Sequence, residues 1–203
     1  SYSGWQEADF IKFKAWIADV FYPHITKFLS THNGNECALH YWLNWDLSAM
    51  TALLSIGILA DDNFKINEAI QYFKFGIGSG NIGNGVPFIH LDPDSNEMLG
   101  QCQESGRDQG HATLCVSLLG AFCQMAKNVG EDLFIFDDGR ALAMCEYVAK
   151  YNIGGAETGS SSASWKMTGF RYTDNDLPYT TYTNCSGSWD TISAQERLSL
   201  IHI

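Results

Sequence analysis

A chain of 203 residues, 45% hydrophobic and 17% charged, can bury one substantial core and is globular, not disordered. Its net charge of −11 excludes general binding to nucleic acid or anionic membranes, where phosphate contacts demand many cations. No apolar run reaches the roughly 20 residues of a membrane span, and the six cysteines contain no C-x-x-C pair that would point to a zinc ribbon or a thioredoxin-like site.

Residues 6–22 carry Phe10, Phe13, Ile17, Val20 and Phe21 in a stripe of helical period, which predicts an amphipathic helix ended by Pro23. A second helix is predicted over 39–60, with Leu47, Met50, Leu54 and Ile58 along one side. Asp61-Asp62-Asn63 breaks it. Ile66, Ala69, Ile70 and Phe73 mark a third helix. Residues 76–85 hold five glycines and read as a flexible loop. They lack the Lys-Ser/Thr of a phosphate loop and precede no βα pattern, so nucleotide binding is not expected. A fourth helix is predicted over 106–128 and a fifth over 138–151, the latter on Ala141, Met144, Cys145 and Val148. Beyond Asn152, Gly, Ser, Thr, Tyr and Asn dominate to residue 190 without a period. Such a long irregular segment in a compact protein is usually functional. Five helices without a strand run predict an all-α stack of helix pairs. No exact internal repeat is visible. Cys115, Cys123 and Cys145 read as small buried hydrophobes, while Cys37, Cys102 and Cys185 stay open to disulfides.

The ends suggest a fragment. Ser1 is not an initiator, no signal peptide is visible, and Leu198–Ile203 reads as a translated sequencing-adaptor end, so residues 198–203 are expected to be a non-native tail.

The segment Gln103-Glu104-Ser105-Gly106-Arg107-Asp108-Gln109-Gly110-His111 concentrates polar side chains before an apolar helical run. One cap suffices for a helix start, and Ser105 with Asp108 resembles a capping box. Arg107 and His111 remain. Four apart, they are expected on one face near a helix N-terminus, where a carboxylate would be stabilised. A buried polar network tying helices together explains the segment equally well.

A similar cluster opens the second predicted helix in His40-Tyr41-Trp42-Leu43-Asn44-Trp45-Asp46. His40 and Asn44 are four apart, an Asn amide both donates and accepts, and tryptophans offer flat faces to sugar rings. Either tryptophan alone reads better as core; the two clusters together favour a ligand cleft. His40, His90 and His111 lack metal-ligand spacing, so no metal is expected. Ser105 is not in a G-x-S-x-G elbow. Glu104, Asp108, Asp46, Asp61, Asp62, Asp137 and Asp138 offer carboxylates, but Asp61-Asp62 and Asp137-Asp138 fit helix caps and solvated faces.

These residues, with Pro87-Phe88-Ile89-His90, Glu146–Asn152 and Pro178-Tyr179-Thr180-Thr181-Tyr182, resemble the alginate-lyase-like family of polysaccharide lyases. The resemblance extends to about Ser193 and is most specific at Gln103–His111. It implies an (α/α) toroid of helix hairpins, of which residues 1–197 would be part, and β-elimination on an acidic polysaccharide such as alginate or glucuronan. It implies a secreted or periplasmic protein and no cofactor. Elimination removes the C5 proton of a uronate, which requires the C6 carboxylate to be neutralised, a base, and an acid for the leaving O4. The expected carboxylate binders are Asn44 and Arg107. The expected base is His111, with His40 as competitor. Trp45, His90 and Gln109 would contact sugar, and Glu104, Tyr147 and Tyr179 complete the substrate site. Related lyases use a tyrosine close after an arginine; none follows Arg107 closely, which leaves Tyr147 (seven after Arg140), Tyr179 or a residue beyond this chain as the acid. A later segment rich in Arg, Trp and Tyr, expected after residue 193, is missing.

Two other functions compete. One is a glycoside hydrolase on a related toroid, with two acids across a cleft. The other is a non-catalytic polysaccharide-binding protein. Oligomeric state is not legible.

Overall fold

A computed structural model describes residues 4–34, 37–92, 95–107, 109–153, 183–184 and 187–188. The described residues are mostly helical: α1 (Glu7–Thr31), α2 (Leu43–Ala60), α3 (Asn63–Phe75), a single turn α4 (Ile82–Gly85), α5 (Gln109–Asn128) and α6 (Phe136–Ile153). Between α4 and α5 stands a hairpin of β1 (Phe88–Leu91) and β2 (Met98–Gln101). It is antiparallel and pairs Phe88 with Gln101 and His90 with Leu99. A second short antiparallel pair, β3 (Thr183–Asn184) and β4 (Gly187–Ser188), lies in the segment expected to be irregular.

α2 is the hub, packed on α1, α3 and α5. Its Leu43, Leu47, Met50, Leu53 and Leu54 are buried and meet Phe73 of α3 and Leu119 and Phe122 of α5 in one core. Phe73 stacks on Phe122 with ring centres 5.4 Å apart. Each such side chain stabilises by about 1.5–3 kcal/mol relative to exposure. Among the described residues α2 is also the helix long and apolar enough to cross a membrane, with mean hydropathy 1.4 over 18 residues. Here it is wrapped by the other helices and carries a fully buried carboxylate, Asp46.

The joint between α2 and α3 is written in the sequence. Asp61 adopts the left-handed conformation (φ 56°) and closes α2, its N–H bonding the Gly57 and Ile58 carbonyls. Asp62 caps α3, its carboxylate accepting the N–H groups of Phe64 and Lys65 at 3.0 and 3.2 Å. Gly57 lets the helices close: a Cβ there would lie 2.8 Å from the Ile66 nitrogen.

Three expectations are corrected. α1 does not end at Pro23 but runs on to Thr31. The proline's fixed φ suits a helix, and the bond it removes and the carbonyl its ring crowds, that of Asp19, lie on an exposed side of the helix. Nor does the Phe10–Phe21 stripe face the core. In α1 only Leu29 is fully buried; of the stripe, Val20 and Phe21 are exposed and Phe10, Phe13 and Ile17 are half-buried. The sequence also showed no strand run, whereas a β1–β2 hairpin forms. Its strands are four residues each, too short for alternation to register, and β2 gains its place by packing on α6. A Cβ on Gly100 of β2 would lie 2.7 Å from the Met144 nitrogen.

Candidate functional site

The glycine segment 76–85 is not a flexible loop. It is a packed turn, with Gly78, Ser79, Gly80, Ile82 and Gly85 buried. What fixes it is Asp46, which lies one turn into α2 and is fully buried. Its Oδ2 accepts the Gly80 N–H at 2.8 Å and the Tyr72 hydroxyl at 2.9 Å. Its Oδ1 accepts Nε2–H of His32 at 3.1 Å. A carboxylate oxygen can only accept, so the proton sits on Nε2. His32 is 1% exposed and held where α1 ends, in the left-handed conformation (φ 42°). Burial and the Asp46 charge beside it push the Tyr72 phenol up from its ordinary value. Glycine is required at 78 and 80 by contact: a Cβ on Gly78 would lie 2.5 Å from both Asp46 Oδ2 and the Tyr72 hydroxyl, and one on Gly80 would lie 2.3 Å from Met50 Sδ.

This clasp holds Ser79 between two parts of the candidate site. The Ser79 hydroxyl donates to the Tyr41 carbonyl just before α2 at 2.7 Å. Gln103 donates through Nε2 to Ser79 Oγ at 3.0 Å and to the Asn84 carbonyl at 3.1 Å. The start of α2 and the polar segment are therefore tied through the glycine turn, across 38 and 24 residues of sequence.

The polar segment differs from its expected form. Gln103–Gly106 is a 3-10 turn, Arg107 stands in the joint, and α5 begins at Gln109. Arg107 and His111 therefore do not share a helix face. The Ser105 hydroxyl lies 3.4 Å from Cys102 Sγ inside the turn; Asp108, its expected capping partner, lies outside the described residues. Gln101, Gln103, Glu104 and Ser105 are all at most 2% exposed. Arg107, with 28% of its side chain exposed, reaches Glu104 Oε2 at 3.5 Å. Removing one carboxylate, two amides and a hydroxyl from water is costly unless they are bonded, so this segment is an organised polar floor with a cation at its edge.

The other expected residues fall around that floor. His90 on β1 donates from Nε2 to Gln101 Oε1 at 3.0 Å, which leaves Nδ1 as the acceptor when the ring is neutral. His111, in the first turn of α5, is partly exposed. Asn44 is partly buried at the start of α2, and its side-chain oxygen is shielded and meets no donor among the described residues. His40 is in the turn before α2, not on it, so the predicted four-residue pairing with Asn44 on one helix is corrected. Its ring stands edge-on to Tyr41 at 5.2 Å. Trp45 is 54% exposed and packs one side on Tyr41. Glu104 and Tyr147 have no exposed surface; Tyr147 packs with Leu99, Ala112 and Val148 under the start of α5. Gln109 opens α5, with its side chain outside the described residues, as is Tyr179 altogether.

Asp46, weighed above as a carboxylate for hydrolysis, is spent on the clasp. His32, Tyr72 and Ser79 escaped the sequence reading altogether. Gly78-Ser79-Gly80 was the one signal, since paired glycines mark a place where something approaches the backbone closely. Cys37 is disulfide-bonded, and Cys102, Cys115, Cys123 and Cys145 are free thiols. Burial pushes the Cys102 thiol up to about 11, opposed by its bond to Ser105. Among the described residues no group of three or more His, Cys, Asp or Glu could hold a metal ion.

Comparison with protein-family models, curated proteins and solved structures finds no match for this chain.

Proposed function

We propose that this chain carries part of the active face of a polysaccharide lyase, built as an (α/α) toroid, that cleaves a uronate-containing polysaccharide such as alginate or glucuronan by β-elimination. The observation that carries the reading is the buried floor Gln101–Ser105 with Arg107 at its edge. A guanidinium held by a buried carboxylate keeps its position but retains donors for a planar anion. That is what neutralising a uronate carboxylate requires.

In this reading Arg107 and Asn44 bind the C6 carboxylate. Asn44 would donate to it through Nδ2. As charge builds on the carboxylate during loss of the C5 proton, these donors stabilise it without reorganising. His111, partly exposed, takes the proton, with His40 as the competing base. Trp45 offers an exposed face for sugar stacking, and His90 and Gln109 would contact sugar. Glu104 acts by holding Arg107. Tyr147, fully buried, supports the start of α5, and the acid that protonates O4 is sought at Tyr179 or beyond this chain.

A hydrolase with paired carboxylates is disfavoured because Asp46 and Glu104 are fully buried and already paired. The experiment is to incubate the protein with alginate and with glucuronan and follow the ultraviolet absorbance of the conjugated unsaturated product. A rise that Arg107→Ala abolishes supports the lyase. Tight binding of a uronan without any rise supports a polysaccharide-binding protein instead.

A further inference from the structure

Beside Tyr72 lies a pocket of about 280 Å³ between α1, α2, α3 and the start of the glycine turn. Its walls are Leu29, Leu53, Phe75 and Ile77, with the Tyr72 side chain as a further surface. One carboxylate lines it, that of Glu68. We infer that this pocket binds a small organic cation, a protonated amine on an apolar body.

The charge around it is one-sided. Glu68 accepts the Tyr22 hydroxyl through Oε2 at 2.9 Å, and its other oxygen accepts from no donor among the described residues. Lys65, three residues before Glu68 on α3, is already engaged: it pairs with Asp62 and lies over the Tyr22 ring at 4.6 Å. Two helices also end here. Leu29 belongs to the last turn of α1, which carries no basic residue, and Phe75 and Gly76 close α3. The carbonyl ends of both helices add partial negative charge. The one basic residue in the last turn of α3, Lys74, is paired with Glu131. An anion would be repelled from all of these, and a neutral apolar body would leave the carboxylate oxygen unmet. A cation with an apolar body meets both, with the aromatic walls adding cation–π attraction. The size suits a ligand at the small end of binding pockets.

The test is calorimetric titration with 2-phenylethylamine, protonated at neutral pH, and with 2-phenylethanol, its neutral counterpart. The amine is expected to bind saturably, about tenfold or more tighter than the alcohol, because a charge-assisted hydrogen bond is lost in the latter. Glu68→Gln, which keeps an acceptor for Tyr22, is expected to erase that difference. Equal affinity for amine and alcohol, or no saturable amine binding up to about 10 mM, overturns the inference. The amine–alcohol comparison needs no variant, so it decides the matter even if Glu68→Gln fails to fold. Neither outcome touches the lyase reading, which rests on Gln101–Arg107, none of which lines this pocket.

Discussion

Replacing Asp46 by alanine removes one acceptor from three donors at once. The Gly80 N–H at 2.8 Å and His32 Nε2 at 3.1 Å, both buried, and the partly buried Tyr72 hydroxyl at 2.9 Å lose their partner. Each orphaned buried donor costs about 1–3 kcal/mol. The costs do not add fully, since His32 Nε2–H can donate to the Tyr72 hydroxyl oxygen, 3.4 Å away. A loss of about 3–5 kcal/mol is expected, as for one partner removed from a buried ion pair. Asp46→Asn, which keeps the volume and one acceptor, should lose less. The assay is urea denaturation followed by far-ultraviolet circular dichroism. With a slope of about 1–3 kcal/mol per molar, the alanine midpoint should fall by more than about 1 M. A double-mutant cycle with His32→Gln should return a coupling of about 0.5–3 kcal/mol, because both side chains belong to one network. An Asp46→Ala midpoint within about 0.2 M of the parent would refute the view that this carboxylate pins the glycine turn.

Gly80→Ala should destabilise by about 1–3 kcal/mol in the same assay, because its Cβ meets Met50 Sδ at 2.3 Å in a packed core. Phe73→Ala should cost about 3–5 kcal/mol, with no exposed surface on that side chain and a stacked partner in Phe122; a thermal melt checks it. Stability should fall at alkaline pH, since burial raises Cys102 to about 11 and Cys123 to about 12 from an ordinary 9.0. Both thiols ionise first in the unfolded chain, so their contribution is complete below pH 9.0 and is lost as pH rises towards 11 and 12, and urea midpoints across that range read it. On the proposed lyase reading, Gln103→Ala should lower elimination activity through misplacement of Arg107 more than it lowers affinity for uronan, which a split between kcat and KM would reveal.

The parts of the fold that were legible in the sequence are local. α3, α5 and α6 follow from helical periodicity, and the Asp61-Asp62 break follows from capping chemistry that acts within four residues. The features that escaped depend on distant partners. His32, Asp46 and Tyr72 are separated by 14 and 26 residues, and nothing within a window around any of them marks a buried triad. Pro23 reads as a stop because its neighbours cannot announce that the helix has other supports. The polar residues of Gln103–Arg107 were visible as an excess, but their 3-10 turn was not. The capping pattern Ser105-x-x-Asp108 predicted a helix start there, whereas Ser105 turned inward to Cys102 and α5 began later.

The excess itself was the better signal, and the clasp explains why. A polymer-binding face needs polar groups held rigidly, and rigidity for a polar group inside a protein requires bonds to other polar groups. Gln103 bonds Ser79, Ser79 bonds the backbone before α2, and Asp46 of α2 holds the turn that carries Ser79. Two polar clusters far apart in sequence are thereby joined through a third that looked like a linker. A glycine-rich segment packed against a helix that carries a buried acid is therefore better read as a junction than as slack. By that logic Asp46 and Gln103, neither of which faces solvent, should govern the position of Arg107 as much as its immediate partner Glu104 does.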